Sequence, residues 1–282
     1  MHRAAVLLVI LWIPLGAQPA TVARARGLFE RTEYSQSLTL LLADPQKDAA
    51  TLQLIGQNYF MLGEYKKSTE ALEKAAALDP GNARLMNWLG RAYGRRAETS
   101  GPFTAPGYAG KARQALEKSV RLDPTSKEAA GDLLDFYLDA PGFLGGGLEK
   151  AEALARVVGK SDPAEQHYAQ AVIAEHRKDY AGAEEQLRRA AELAPRQVSR
   201  FVALAKYLGR RGKLNESDAL FEQAMRMAPN DPKILFDRAQ ALVEQRRNLS
   251  EARELLEKYL RSPLTPDDPP RQQAEALLRK IT

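Results

Sequence analysis

Apolar residues recur along almost the whole chain at the three- and four-residue spacings of one helix face, and short polar breaks divide the pattern into paired segments. Residues 49–62 carry the spacing, Gly63-Glu64 interrupts it, and residues 65–78 resume it, which predicts two helices joined by a tight turn. The same break recurs at Lys178-Asp179-Tyr180, Gly212-Lys213-Leu214 and Asn248-Leu249, and in abbreviated form at Glu33-Tyr34. Prolines give the period: Pro45, Pro80, Pro124, Pro163, Pro195, Pro229 and Pro263 stand 35, 44, 39, 32, 34 and 34 residues apart. Proline has no amide proton and biases its predecessor away from the helix, so each marks the joint where one hairpin ends and the next begins.

Alignment on those prolines brings small residues into register on the first helix: Gly56, Gly90, Ala171, Ala205 and, after a one-residue slip, Ala239. A second small column runs through Ser68, Ala112, Ala151, Ala183, Ser217 and Ala252, and large residues follow one turn later at Leu72, Leu116, Leu187, Phe221 and Leu256. Small against large is how packed layers interdigitate. Three places break the pattern: Leu134 stands where a small residue is expected, Ala155 where a large one is, and His167 replaces an apolar residue. Less regular packing is expected there.

Leu52, Ile55-Gly56, Tyr59, Gly63, Tyr65, Ser68, Leu72, Ala75 and Pro80 together resemble the tetratricopeptide repeat. Met86, Leu89-Gly90, Tyr93, Ala112, Leu116 and Pro124 form a second, interrupted copy, and Phe201, Leu204-Ala205, Leu208, Gly212, Ser217, Phe221, Ala224 and Pro229 a third. The resemblance implies an all-α protein, a right-handed α-solenoid of helical hairpins with a concave groove, acting as a non-enzymatic scaffold for a protein or peptide partner. One shortened and six full hairpins are expected over residues 18–263, with extra length in the turns at 95–111 and 139–147. Residues 264–282 are expected to form a proline-rich linker and a capping helix with Ala274, Leu277, Leu278 and Ile281 on one face.

Composition agrees with an all-helical chain, because Ala, Leu, Glu, Arg and Lys dominate and aromatics are only 7%. The formal charge of +5 is spread over 41 basic and 36 acidic residues with no basic run, so a nucleic-acid partner is not expected. Absence of cysteine excludes disulfides, thiolate metal sites and a cysteine nucleophile. Met1-His2-Arg3, the apolar run 4–15 and Gly16-Ala17-Gln18 have the order of a secretory signal peptide, residues 1–17, with cleavage after Ala17. The expectation is a periplasmic or secreted protein with no stable membrane span once the signal is removed; an uncleaved N-terminal anchor is the alternative. Counting back by one repeat places the first helix near Gln18, at the same point.

No catalytic constellation, metal site or cofactor motif has usable spacing. His167 and His176 lie nine residues apart on nearly opposite helix faces, and the glycine-rich stretch 142–147 lacks the lysine, hydroxyl residue and preceding strand of a phosphate loop. Two features point to binding instead. Phe103 and Tyr108 in the first insert and Phe143 in the second should stand side by side along one edge, where they could alternatively serve an envelope glycan as stacking platforms. The groove-facing row Arg84, Asn87, Arg91 and Arg95 shares one helix face; Gln53 and Gln57 extend it on one side, Lys206 and Arg210 on the other. Asn87 with Arg84 and Arg91 faintly resembles the set with which some tetratricopeptide proteins grip a terminal carboxylate. Glu128, Asp135 and Asp139 interrupt the basic row, so a patterned groove is expected.

Overall fold

The computed structural model describes residues 20–281, which form fifteen α-helices and one short 3₁₀ turn, with no strand among the described residues. The signal segment expected at residues 1–17 lies outside them. The helices pair as antiparallel hairpins: α1 (Ala20–Glu30) with α2 (Tyr34–Ala43), α3 (Ala49–Met61) with α4 (Tyr65–Leu78), and α5 (Ala83–Glu98) with α6 (Ala105–Leu122). There follow α7 (Lys127–Asp139) with α8 (Leu148–Gly159), α9 (Pro163–His176) with α10 (Tyr180–Leu193), α11 (Val198–Arg210) with α12 (Leu214–Met227), and α13 (Pro232–Glu244) with α14 (Leu249–Arg261). A last helix, α15 (Arg271–Lys280), buries Ala274 and Leu277 against Leu235, Phe236 and Tyr259.

At the glycines of the small columns the paired helices leave no room for a side chain. A Cβ on Gly56 would lie 2.5 Å from Leu72 Cγ, and one on Gly90 would lie 2.6 Å from Leu116 Cγ. Where the second column carries serine, the hydroxyl donates across the hairpin to the backbone carbonyl of the small residue opposite, Ser68 to Gly56 and Ser217 to Ala205, each at 2.8 Å. Ser37 does the same to Ala25 in the shortened hairpin. The exception at α7 and α8 is an exchange: Leu134 and Ala155 are both buried in one cluster, the large residue having moved to the first helix and the small one to the second. Volume is conserved across the layer. His167 bonds through Nδ1 to Gln186 Oε1 at 2.6 Å, so it joins α9 to α10 as a packing residue.

Local chemistry sets the boundaries. Asp48, Asn82, Ser126, Asp162 and Asp179 each accept a backbone N–H in the first turn of the helix that follows. Six of the seven periodic prolines follow a second helix, but Pro163 opens α9 itself, at the position where a missing amide proton costs nothing. In five of the seven hairpins the tight turn between the paired helices contains a left-handed residue. Gly63 and Gly212 supply it in two hairpins, while Thr32, Lys178 and Arg246 adopt it despite their side chains.

Consecutive first helices touch one another along most of the array, whereas consecutive second helices make no comparable contact. Closer spacing on one side curves the stack and makes the first helices its inner wall. Between α9 and α11 the inner contact loosens. The curvature brings the ends within electrostatic reach: burial, Asp268 and Asp267 together raise the Tyr34 phenol to about 12.

Candidate functional site

The inner wall carries charged residues in pairs that bridge successive hairpins. Between α5 and α7, Arg91 meets Glu128 at 2.9 Å and Asp132 at 3.8 Å, and Asn87 Nδ2 donates to Asp132 Oδ2 at 2.8 Å. Lys127 on α7 reaches Asp162 at 2.6 Å and, on α9, Glu165 at 3.7 Å. Arg200 and Arg210 on α11 pair back to Glu165 and Glu175 on α9, the latter at 2.8 Å and 3.0 Å from one guanidinium nitrogen. Lys206 then pairs forward to Asp237 on α13 at 2.5 Å. From α5 to α13, every pair of neighbouring inner helices is tied by opposite charges.

This ladder changes what the expected basic row can do. Asn87 is 3% exposed and is turned into the joint with the next hairpin; Gln57 is equally buried and Gln53 half-buried. Arg91 is sandwiched over Trp88 and Phe60, with its guanidinium 4.5 Å and 5.2 Å from the ring centres. Arg95 is held by Glu98 and the Tyr65 hydroxyl. Lys206 and Arg210 are committed to the ladder, so among the described residues only Arg84 of the expected cations has no partner. A carboxylate grip built on Arg84, Asn87 and Arg91 would therefore have to break existing bonds.

Asp132, Glu175 and Asp237 are among the partners that the pattern of the sequence did not single out. Two signals pointed to them. Asp132 completes the face of Glu128, Asp135 and Asp139, and the paired charges stand about one repeat apart in sequence: 37 residues for Arg91 and Glu128, 35 for Arg210 and Glu175, 31 for Lys206 and Asp237.

Two cavities open on the inner wall. One, of about 500 Å³, lies between α5 and α7 and is lined by Phe60, Arg91, Arg95, Phe136, Asp135 and Asp139, among others. The other, of about 370 Å³, fills the gap between α9 and α11, with Val172, Val202 and Tyr207 in its wall and the Glu175–Arg210 and Lys206–Asp237 pairs beside it. Burial raises the carboxyl of Asp132, against the pull of Arg91 and Asn87. Asp135 is pushed further, to about 6, first by the enclosing walls of the concavity and then by the charges of Asp132 and Asp139. Among the described residues no trio of His, Cys, Asp or Glu is placed to hold a metal ion.

The inserts adjoin the larger cavity, through Ala97 and Glu98 from one and Ala140, Pro141 and Leu144 from the other. Most of the expected first insert, 95–111, is helical, because α5 runs on to Glu98 and α6 starts at Ala105; the turn itself is only 99–104. Phe103 sits in that turn, 99% exposed. Tyr108, expected in the loop, is instead on α6, its ring stacked on Tyr93 and covered by Arg96 at 4.2 Å. The second insert closes on itself: Gly147 N donates to Tyr137 O at 2.7 Å, and a Cβ on Gly146 would fall 1.8 Å from Ala140 O. Phe143 is left 83% exposed at its tip.

Models of the tetratricopeptide repeat match residues 49–82, 142–198 and 202–269, together more than half of the chain. No curated protein matches the sequence. Among solved structures, a tetratricopeptide repeat protein from Parabacteroides merdae is similar over 93% of this chain and 97% of its own, at 14% identity and a TM-score of 0.55. TTC0263, a thermophilic protein of Thermus thermophilus, is similar over 67% of this chain and 97% of its own, at 21% identity and a TM-score of 0.52. At these identities the likeness is one of fold.

Proposed function

The chain belongs to the tetratricopeptide repeat family, whose members are generally non-enzymatic interaction scaffolds, and on that premise we propose that it holds an extended segment of a protein partner along its inner wall. The observation that carries this is the pair of cavities on that wall, each with an apolar floor and a charged rim. Such sites suit side chains projecting from an extended strand or loop: apolar area gives affinity, and fixed charges give register. The ladder supports the reading by holding successive hairpins at a set spacing, so the wall is pre-organised before a partner arrives. We place this activity outside the cytoplasm, as a periplasmic or secreted protein, on the signal-like order of residues 1–17.

A photoreactive residue at Phe136 or Val172, inside the two cavities, is expected to capture one partner protein in cells. The same residue at Glu222, on the outer face of α12, is expected to capture none. Equal capture from both surfaces would remove the wall from the account. The exported protein is expected to begin at Gln18; an N-terminus that retains residues 1–17 would replace export with anchoring. A second reading rests on the exposed rings of Phe103 and Phe143, which could stack on an envelope glycan. It predicts that the Phe103→Ser, Phe143→Ser variant loses polysaccharide retention while photocapture continues.

A further inference from the structure

We infer that the cavity between α9 and α11 receives the indole of a tryptophan from the partner segment, with its ring against Val172 and Val202 and its N–H donated to Asp237. This rests on the groove reading above and names the occupant of one of its two cavities. The cavity exists because the inner wall opens there. Arg200 to Glu165 and Arg210 to Glu175 tie α9 to α11 at two places, ten residues apart on each helix, or about 15 Å at 1.5 Å per residue. Between those ties the contact of the two helices loosens. The opening reaches the second layer of helices, where Leu187 of α10 lines it together with Ala171, Val172 and Val202.

A buried carboxylate in this opening has one oxygen without a partner. Asp237 of α13 lines the cavity and is 6% exposed. Its Oδ1 accepts from Lys206 at 2.5 Å, whereas among the described residues no donor reaches Oδ2. The side chain keeps 8% of its surface open, on the cavity that it lines, so an incoming donor can reach it. A carboxylate accepts on both oxygens, and one placed this deep is rarely left half-used.

The surroundings decide which donor fits. The charged lining is balanced, with Glu175, Asp231 and Asp237 against Lys206, Arg210 and Lys233. A lysine or arginine from the partner would therefore bring its charge up to three basic groups with no acidic surplus to receive it. A neutral donor meets no such opposition. The apolar floor then asks for a side chain that is mostly hydrocarbon, and Tyr168 adds an aromatic ring to the lining. Size points the same way: an apolar cavity of about 150 Å³ takes one benzene ring, so about 370 Å³ has room for an indole and its attachment to a chain. Indole combines a large apolar face with a single N–H, which seeks a partner when buried.

The test is methyl NMR on the full chain, titrated with a short neutral peptide of Gly and Ser that carries one tryptophan. Binding is expected to shift the methyls of Val172, Val198 and Val202 and to leave those of Val157, exposed on α8, in place. Methylating the indole nitrogen keeps the ring and removes the donor, which should weaken the peptide about 10-fold or more, the scale of losing a hydrogen bond to a charged group. Asp237→Asn should weaken the tryptophan peptide to the same degree and the N-methyl peptide no further, because both changes remove one hydrogen bond. Val172→Phe, which fills the cavity from its own wall, should abolish binding of both. Equal affinity of the two peptides for the parent chain, or shifts confined to methyls outside the cavity, would overturn the inference. If neither peptide binds while Phe136 still photocaptures a partner, the tryptophan assignment falls and the groove reading stands; if no partner is captured either, both fall.

Discussion

Replacing Arg200 with methionine is expected to lower the unfolding free energy by about 3 kcal/mol, and adding Glu165→Leu to that variant should recover most of the loss. Arg200 and Glu165 are 6% and 8% exposed, which makes theirs the most deeply buried ion pair of the ladder. Two charges removed from water gain little net stability by meeting each other, because their lost hydration nearly cancels their attraction. Removing one is different: Glu165 would keep its desolvation penalty and retain only Lys127, 3.7 Å away, as a poorly placed substitute. Two apolar side chains of similar volume carry no such penalty. Hydrogen exchange should locate the single-variant loss in α9 to α12, since each hairpin of such an array leans only on its neighbours. A parent-like Arg200→Met variant, or a double variant as unstable as the single, would refute this account.

The same pair shows what a sequence of this kind gives up readily and what it withholds. The hairpins were legible because helical spacing, turn residues and proline joints are all local, and each repeats about every 34 residues. The family followed from the small and large columns, which are local features read in register. Which inner-wall charges are free was not legible, because that depends on contacts between residues about one repeat apart. Arg91, Lys206 and Arg210 read as a basic row when each helix is taken singly; their partners Glu128, Asp237 and Glu175 lie 31 to 37 residues away on neighbouring inner helices. Tyr108 illustrates another limit. Its place on α6 depended on both helices of that hairpin extending into the extra residues, which the length of the insert does not reveal. Pro106 is accommodated in the first turn of α6, where no hydrogen bond is lost.

The repeat itself is most sharply tested at Gly90 and Leu116, where a substitution should change sign with its background. Leu116→Ala alone is expected to cost about 2–5 kcal/mol, since Leu116 is 4% exposed and packs among Leu133, Leu134 and Ala130. Gly90→Ala alone should also destabilise. Alanine in mid-helix is favoured over glycine by about 1 kcal/mol, but the new Cβ would lie 2.6 Å from two carbons of the Leu116 side chain and 3.2 Å from its backbone nitrogen. Neither the buried branch point nor the backbone can move far, and such overpacking costs about 1–3 kcal/mol. In the Leu116→Ala background the obstructing carbons are gone. The added methyl then fills part of the cavity, and the helix preference is opposed only by the 3.2 Å approach to the backbone nitrogen of residue 116, so Gly90→Ala should stabilise. Urea denaturation of the four chains of this cycle gives the coupling directly. Additive losses would mean that Gly90 is small for some reason other than Leu116, and the pairing of the two columns would no longer explain how α5 and α6 meet.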